Sequence, residues 1–340
     1  MKVELCDTPD RWDTYLETVP GGHNSQRWGW KQTVEETYGH KSYYWIATDG
    51  GVTQGVLPLV LIESRLFGRF LVSVPFATYG GILASSQEAH EKLLSAATEL
   101  ADKLNVRHIE LRQGEPWTCG WLDVSSKVAM VVRLTACSED MWRHLSSRLR
   151  NKVRKAEREG LSCQWGGKEA VNDFYSVFAI NMRNLGTPVY PRQWFLNLCQ
   201  FHPENSQILI LRDEDRPVAA TFVTWFGDMV ELPWIASLSD GRRKYATELL
   251  YWTALKWAVE RGFRNLDFGR CTPKGGVYRF KQQWLCNEER LHWYYWLAPG
   301  RSVPQLRPDN AHYRLAIRAW QHLPLSVANR LGPHIVRSIP

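Results

Sequence analysis

The order of apolar runs and turn signals occurs twice along this chain, and that repeat restricts the fold more than any other feature. In the first half, Tyr43–Thr48 and Val52–Ile62 read as strands. They turn through Asp49-Gly50-Gly51, where glycine supplies the positive φ of a tight hairpin. Phe70–Phe76 is a third extended run, leading into Tyr79-Gly80-Gly81. Ser86–Leu104 then sets Ala89, Leu93, Ala96, Ala97, Leu100 and Leu104 on one helical stripe, and Val106–Arg112 reads as a closing strand. The second half follows the same order. Gln207–Arg212 and Pro217–Phe226 flank Asp213-Glu214-Asp215, Met229–Ala236 is the third strand, and Ala246–Arg261 is a helix stopped at Gly262. Arg264–Phe268 closes the unit, followed by helix-like Tyr278–Trp284 and strand-like Leu291–Leu297. The offset of about 160 residues is too long for a solenoid repeat.

Two copies of one α/β unit in this order match the N-acetyltransferase-type fold, in which two central parallel strands splay apart and the acyl donor sits in the opening. The expected fold class is therefore α/β: two tandem acyl-CoA N-acyltransferase (GNAT)-like domains with mixed central sheets flanked by helices. The expected division is 1–137 and 161–300 for the two domains, a basic linker helix over 138–160, and a helical tail over 301–340 that packs back on the protein. A fold hosts many activities, so function has to come from residues.

Charge is the next constraint. The net charge is +7, of which residues 138–160 carry +3 and residues 301–340 carry +5, leaving −1 for the rest. Basic charge so concentrated points to an anionic partner: phosphate, nucleic acid or an anionic membrane face. At 44% hydrophobic and 23% charged residues the chain can fill two cores, which excludes extended disorder. No apolar run reaches the ~18 residues of a membrane span. The N-terminal segment is too polar for a signal peptide. Seven cysteines without a C-x-x-C pair fit neither a disulfide scaffold nor a zinc ribbon. The expected location is a reducing cytoplasm.

Chemistry concentrates in Leu266–Trp284, where a strand ends at Phe268 before a glycine-containing turn and a short helix. Such strand ends carry catalytic groups in open α/β sheets. Asp267 and Arg270 can pair. Lys281, one turn inside the helix and near Tyr278 at i+3, can stabilise an oxyanion or a phosphate, or be a surface lysine. Glu231 is a candidate general base for an amine, or an ordinary strand carboxylate. Cys271 has no histidine near it in sequence to act as a base. The ten histidines show no metal-ligand spacing, and no P-loop or dinucleotide fingerprint occurs. Coenzyme-A acetyltransferases carry a glycine-rich pyrophosphate loop before the helix that follows the third strand. Here Tyr245 and Thr247 stand where small residues are expected, although Arg242, Arg243 and Lys244 add positive charge. In the basic segment, Met141, Trp142, Leu145, Leu149 and Val153 share one side and the basic residues surround the rest. It is either a solvated helix or a docking surface for a polyanion, with Arg148 and Arg154 as candidate contacts. In the tail, Asp309 or Asn310 can cap a helix whose Tyr313, Ala316, Ile317 and Trp320 share one face and Arg314 and Arg318 another. Pro324 breaks it, and a second short turn is expected to end at Gly332-Pro333.

These stretches resemble the FemAB-like branch of the acyltransferase superfamily, most closely its members associated with exosortase and exopolysaccharide loci. The resemblance is carried by Phe67-Gly68-Arg69 through Val74–Gly81, by Met182–Tyr190, by Asp267-Phe268-Gly269-Arg270 with Thr272-Pro273, by Tyr278–Lys281 with Trp284, and by the tail from Asn310 to Pro340. It implies cytoplasmic amide-bond formation with no permanently bound cofactor. It also implies an activated acyl donor as co-substrate: aminoacyl-tRNA, acyl-CoA or acyl carrier protein. Fem enzymes transfer an amino acid from aminoacyl-tRNA to an amine of a peptidoglycan precursor. Their Phe-Lys pair matches Phe280-Lys281, which gives Lys281 a catalytic or phosphate-binding role. Tyr79 and Tyr190 lie in matching motifs and are expected to bind substrate. Two departures stand out: no long helical hairpin insertion is present, and Cys271 replaces an expected serine.

The expectation is an N-acyltransferase joining an acyl or aminoacyl group to an amine of an anionic cell-envelope or exopolysaccharide precursor. Lys281, Glu231 and Asp267 are the expected catalytic residues; Arg270, Tyr278, Tyr79, Tyr190, Arg148 and Arg154 are expected to bind substrate. tRNA and the inner face of an anionic membrane are the further expected partners. The other class that fits is a non-catalytic FemAB-like protein that binds an anionic glycolipid precursor or RNA.

Overall fold

A computed structural model of the 340-residue chain describes residues 1–64, 68–304 and 311–339. Phe67, Asp309 and Asn310 lie outside the described residues, as do the side chains of Tyr313 and Arg314. The chain forms two compact units. One is Met1–Lys127 with the segment from Arg290 and the last residues from Arg337; the other is Val128–Glu289 with the tail helices.

The first unit begins β1 (Lys2–Leu5), α1 (Pro9–Thr18), α2 (Trp28–Tyr38), β2 (Lys41–Asp49) and β3 (Val52–Ser64). It continues with β4 (Gly68–Val72), β5 (Leu83–Ala84), α3 (Gln87–Leu104), β6 (His108–Gln113) and β7 (Leu122–Asp123). The second unit opens with β8 (Val128–Arg133), α4 (Ser138–His144), α5 (Ser147–Arg158), β9 (Leu161–Gly166), α6 (Val171–Leu185) and α7 (Arg192–Phe201). Next come β10 (Ser206–Asp213), β11 (Arg216–Phe226), β12 (Met229–Ser237), α8 (Ser239–Arg243), α9 (Ala246–Glu260), β13 (Asn265–Cys271) and α10 (Gly276–Gln282). The chain closes with β14 (Asn287–Arg290), β15 (His292–Leu297), α11 (Ala311–Gln321) and α12 (Leu325–Val336).

Each unit is built on a mixed sheet. The first runs β1-β2-β3-β4-β6-β15-β7, and β5 pairs with β3; the second runs β14-β8-β13-β12-β11-β10-β9. One parallel pair sits inside each, β4 with β6 and β12 with β13. Local signals account for the helices. Ser86 caps α3 by accepting from the Ala89 N–H at 3.2 Å, and Asn105 ends it in the left-handed region. Helix α9 buries Leu249, Leu250, Tyr251, Ala254, Trp257 and Ala258 on several sides, as a helix enclosed by other elements must.

The divisions expected at 137, 161 and 300 fall elsewhere. Strand β8 pairs with β13, so the second unit starts at Val128. Strand β15 pairs with β6 in the first sheet. The segment expected as one linker helix is two helices, broken where Leu145 turns extended, and it belongs to the second core. Met141, Leu145, Leu149, Val153 and Ala156 are buried there, and Ser146 caps α5 by accepting from the Leu149 N–H. Strand β4 ends at Val72 rather than Phe76. In the tail, α12 runs through Pro333 to Val336 instead of stopping at Gly332. Ala328, Gly332 and Val336 form a buried stripe along it, and this packing offsets the one backbone hydrogen bond proline lacks.

Candidate active site

The parallel ladder between β12 and β13 is three pairs long: Met229 with Asn265, Val230 with Leu266 and Glu231 with Asp267. Beyond it, each strand stays held on its outer side. Strand β12 continues against β11 through Phe222 opposite Trp234 and Thr221 opposite Ile235. Strand β13 continues against β8 through Arg270 opposite Ala129 and Cys271 opposite Val128. The register slips on both outer sides, between Phe222 and Thr224 and between Asp267 and Arg270, and such bulges re-aim strands at functional sites. Two inner strands that part after Glu231 and Asp267 form the splay expected from sequence.

Gly269 lies in the register shift just past the last ladder pair. Its φ of +79° falls where a side chain is strained. A Cβ there would meet the Leu232 carbonyl oxygen at 3.6 Å and Lys281 Nζ at 3.8 Å, ordinary contact distances, so the positive φ and not lack of space calls for glycine. The adjacent Asp267 is 1% exposed, and its Oδ1 accepts the Gly269 N–H at 2.7 Å. Lys281 is 4% exposed and so is not a surface lysine. Its Nζ donates to the carbonyl oxygens of Gly269 at 2.8 Å and Arg270 at 3.4 Å. Burial lowers its pKa, while the nearby Asp267 carboxylate opposes that shift.

The structure thus brings Glu231, Asp267, Arg270 and Lys281 to one strand end. Tyr278 sits on the same short helix; its hydroxyl donates to Glu288 Oε2 at 2.6 Å and accepts from Gln282 Nε2 at 2.8 Å. The Glu288 hydrogen bond, more than burial, raises its pKa. Cys271 is buried against Val128 and Met130, the environment of an inert thiol. Tyr190 packs with Trp194 and Phe195 and reaches Trp234 on the splayed half of β12, ring centres 5.9 Å apart. Arg148 and Arg154 are exposed on α5, with Arg154 over the Trp142 ring at 5.4 Å.

The N-terminus of α9, where a coenzyme-A enzyme would seat pyrophosphate, is flanked by Tyr245, Thr247 and Glu248 and not by glycines. Tyr245 takes a left-handed φ of +57° at the cap. Glu248 in the first turn is buried and accepts from Lys152 Nζ of α5 at 3.1 Å. The Tyr245 ring lies under Lys155 at 5.3 Å and Lys152 at 5.9 Å. The Thr247 hydroxyl bonds Ser237 at 2.8 Å. The positive charge expected from this segment is largely committed: Lys244 pairs with Asp213 at 2.7 Å, and Arg242 donates to the Ser237 carbonyl. Glu248 escaped sequence reasoning because a glutamate in a helix's first turn is ordinary.

In the first unit the equivalent strand end is closed. After Val72 pairs with Glu110, the chain leaves β4 and returns to β6. The Gly80 and Gly81 N–H groups both donate to the Arg112 carbonyl at 2.9 Å, and the Arg112 N–H donates to Ser73 Oγ at 3.0 Å. The Arg112 side chain is buried, bonding Glu110 at 2.7 Å and the Ala77 carbonyl at 2.6 Å. Tyr79 belongs to this closure: its ring stacks on His23 at 4.1 Å, and its carbonyl accepts from Ser25 Oγ.

Residues 143–282 match the family model for an acetyltransferase (GNAT) domain. No protein of curated function matches the sequence. Among solved structures, FemX aligns with a TM-score of 0.69 at 15% identity, covering 88% of this chain and 98% of its own. The C-terminal domain of a putative lysylphosphatidylglycerol synthetase from Agrobacterium fabrum gives 0.58 at 11%, over 84% and 90%. A tandem GNAT protein from the clavulanic acid biosynthesis pathway gives 0.52 at 13%, over 89% and 100%. The second unit matches a GNAT domain, and the whole chain has a tandem GNAT-type fold. Its fold is the FemAB-like arrangement that the sequence led one to expect.

Proposed function

We propose that the second unit catalyses N-acyl transfer, joining an activated acyl or aminoacyl group to an amine of an anionic cell-envelope or exopolysaccharide precursor. The observation that carries this reading is the parting of β12 and β13 immediately after Glu231 and Asp267, with the buried Lys281 ammonium at the mouth. The donor's carbonyl lies in the opening. The amine nitrogen attacks the carbonyl carbon and forms a C–N bond; Glu231 accepts the amine proton, and the leaving group departs with the electrons of its own bond to carbon. An ammonium offers three N–H donors, and two of Lys281's go to main-chain carbonyls. Its charge, supported by Asp267, favours the tetrahedral oxyanion together with strand N–H groups. Tyr190 and Trp234 wall the acceptor side. Arg270 on the splayed half of β13 is a further group for binding substrate, whereas Tyr278 packs on the β8 side with its hydroxyl on Glu288 of β14.

The α9 N-terminus, without glycines and with a carboxylate in its first turn, favours a donor other than acyl-CoA, leaving aminoacyl-tRNA or an acyl carrier protein. The basic face of α5, with Arg148 and Arg154, suits the phosphates of such a donor or of the precursor. A structural relative named as a putative lysylphosphatidylglycerol synthetase supports an acceptor at the cell envelope. No helix among the described residues is long and apolar enough to cross a membrane. The proposed acceptor, an anionic envelope precursor, is what would put the reaction in the cytoplasm at the inner membrane face.

The test is to incubate purified protein with envelope-precursor extract and, separately, acetyl-CoA, aminoacyl-tRNA or acyl carrier protein. New amides are then sought by mass spectrometry. Product should form with one of the last two and fall at least about a hundredfold in Glu231→Gln. No product with any donor, beside retained binding of RNA or anionic glycolipid, would replace the enzyme by the non-catalytic binder.

A further inference from the structure

Helix α12 exposes an apolar stripe. Val327, Leu331 and Ile335 recur at i, i+4 and i+8 and are 39%, 45% and 37% exposed. Ala328, Gly332 and Val336, one position on from each, are buried, with Gly332 against the Val189 backbone. The helix is therefore docked through one face and leaves a second apolar face to solvent. Exposed Arg330 and His334 border that face on the side away from the docked one. On α11, Leu315 is 68% exposed and Arg318 is also exposed.

We propose that α12 is an interfacial helix that rests on an anionic bilayer surface, its stripe entering the headgroup–acyl boundary and its arginine meeting lipid phosphate. This surface is independent of the transfer reaction above. Charge selects the occupant. Residues 301–340 hold six arginines against a single acidic residue, Asp309. A second copy meeting this face through its own α12 would set arginine against arginine, whereas anionic lipid complements it. An apolar row edged by basic residues on a docked helix is the arrangement of weak, reversible interfacial attachment.

The experiment is co-sedimentation of the full-length protein with vesicles of equal parts phosphatidylglycerol and phosphatidylcholine, and with vesicles of phosphatidylcholine alone. The protein should pellet with the anionic vesicles at low salt and be released at high salt. Arg330→Ala should weaken partitioning about fivefold. The combined variant Val327→Ser, Leu331→Ser, Ile335→Ser should weaken it more than tenfold, because the stripe supplies the apolar part. All four side chains face solvent, and an unchanged melting temperature will show that the variants fold. Equal pelleting with both vesicle types, pelleting with neither, or wild-type binding by the triple-serine variant would overturn the proposal. So would a dimer in light scattering that the triple-serine variant abolishes, which would assign the face to a second copy.

Discussion

Glu231 and Asp267 stand opposite each other as the last pair of the parallel ladder between β12 and β13. Past them, β12 and β13 share no further pairing with each other, and the Gly269 and Arg270 carbonyls on β13 accept from a buried lysine. One end of the sheet is thereby a pair of carboxylates beside a dry ammonium. Asp267 and Lys281 are buried there, so changes of charge at either are weakly screened.

Lys281 should reveal itself through pH. Burial holds its folded-state pKa below 10.5, while the unfolded chain keeps the proton up to about 10.5. Between those values the unfolded state binds more protons, so this residue's contribution to stability rises with pH and is lost as pH falls. The gap in urea midpoint between wild type and Lys281→Met should therefore shift in favour of wild type as pH climbs toward 10.5. A gap that does not change with pH would mean the ammonium is not desolvated.

Coenzyme A should not bind the wild-type protein measurably in calorimetry. The α9 N-terminus, where its pyrophosphate would sit, carries Tyr245 and Thr247 in place of small residues, with the buried Glu248 carboxylate, bonded to Lys152, in the first turn. Glu248→Ala removes the carboxylate and leaves Lys152 and Lys155 near Tyr245 at the helix N-terminus, so that variant should gain weak, measurable affinity. Micromolar binding by the wild type would contradict the account of α9.

Arg148→Glu with Arg154→Glu should weaken binding of a polyanion such as total tRNA and flatten its salt dependence, since each lost phosphate contact lowers the slope by about one. The pair is exposed, so the fold should survive. An unchanged affinity and slope, measured by filter binding, would leave α5 as a solvated face.

Gly332→Ala should loosen the tail. A Cβ there would approach Val189 N at 2.8 Å and Val189 O at 2.9 Å, and backbone cannot swing aside as a side-chain tip can. The expected destabilisation is about 1–3 kcal/mol, seen as a lower melting temperature and faster amide exchange around Val189. No change in either would place α12 elsewhere.

The repeat was legible because its strands and helices are strongly periodic and punctuated by glycine. Asp49-Gly50-Gly51 turns β2 into β3, and Gly262 follows the end of α9. What a strand pairs with was not legible. Strand β15 reads as part of the second unit and joins β6 in the first, because partner choice depends on contacts far apart in sequence. Lys281 drew notice through its loop and its motif, but not as a buried group, since only the geometry of Gly269 and Arg270 brings carbonyls to its ammonium. Glu248 left no signal, for its effect depends on Lys152, 96 residues away.

The closure of the first unit by Gly80, Gly81 and Arg112 has a countable consequence. Duplicated architecture invites the assumption of two turnover centres per chain. A strand end whose carbonyl is already taken by the chain's own amides has no place for a donor. An active-site titration with a tight-binding bisubstrate analogue should therefore saturate at one equivalent per polypeptide.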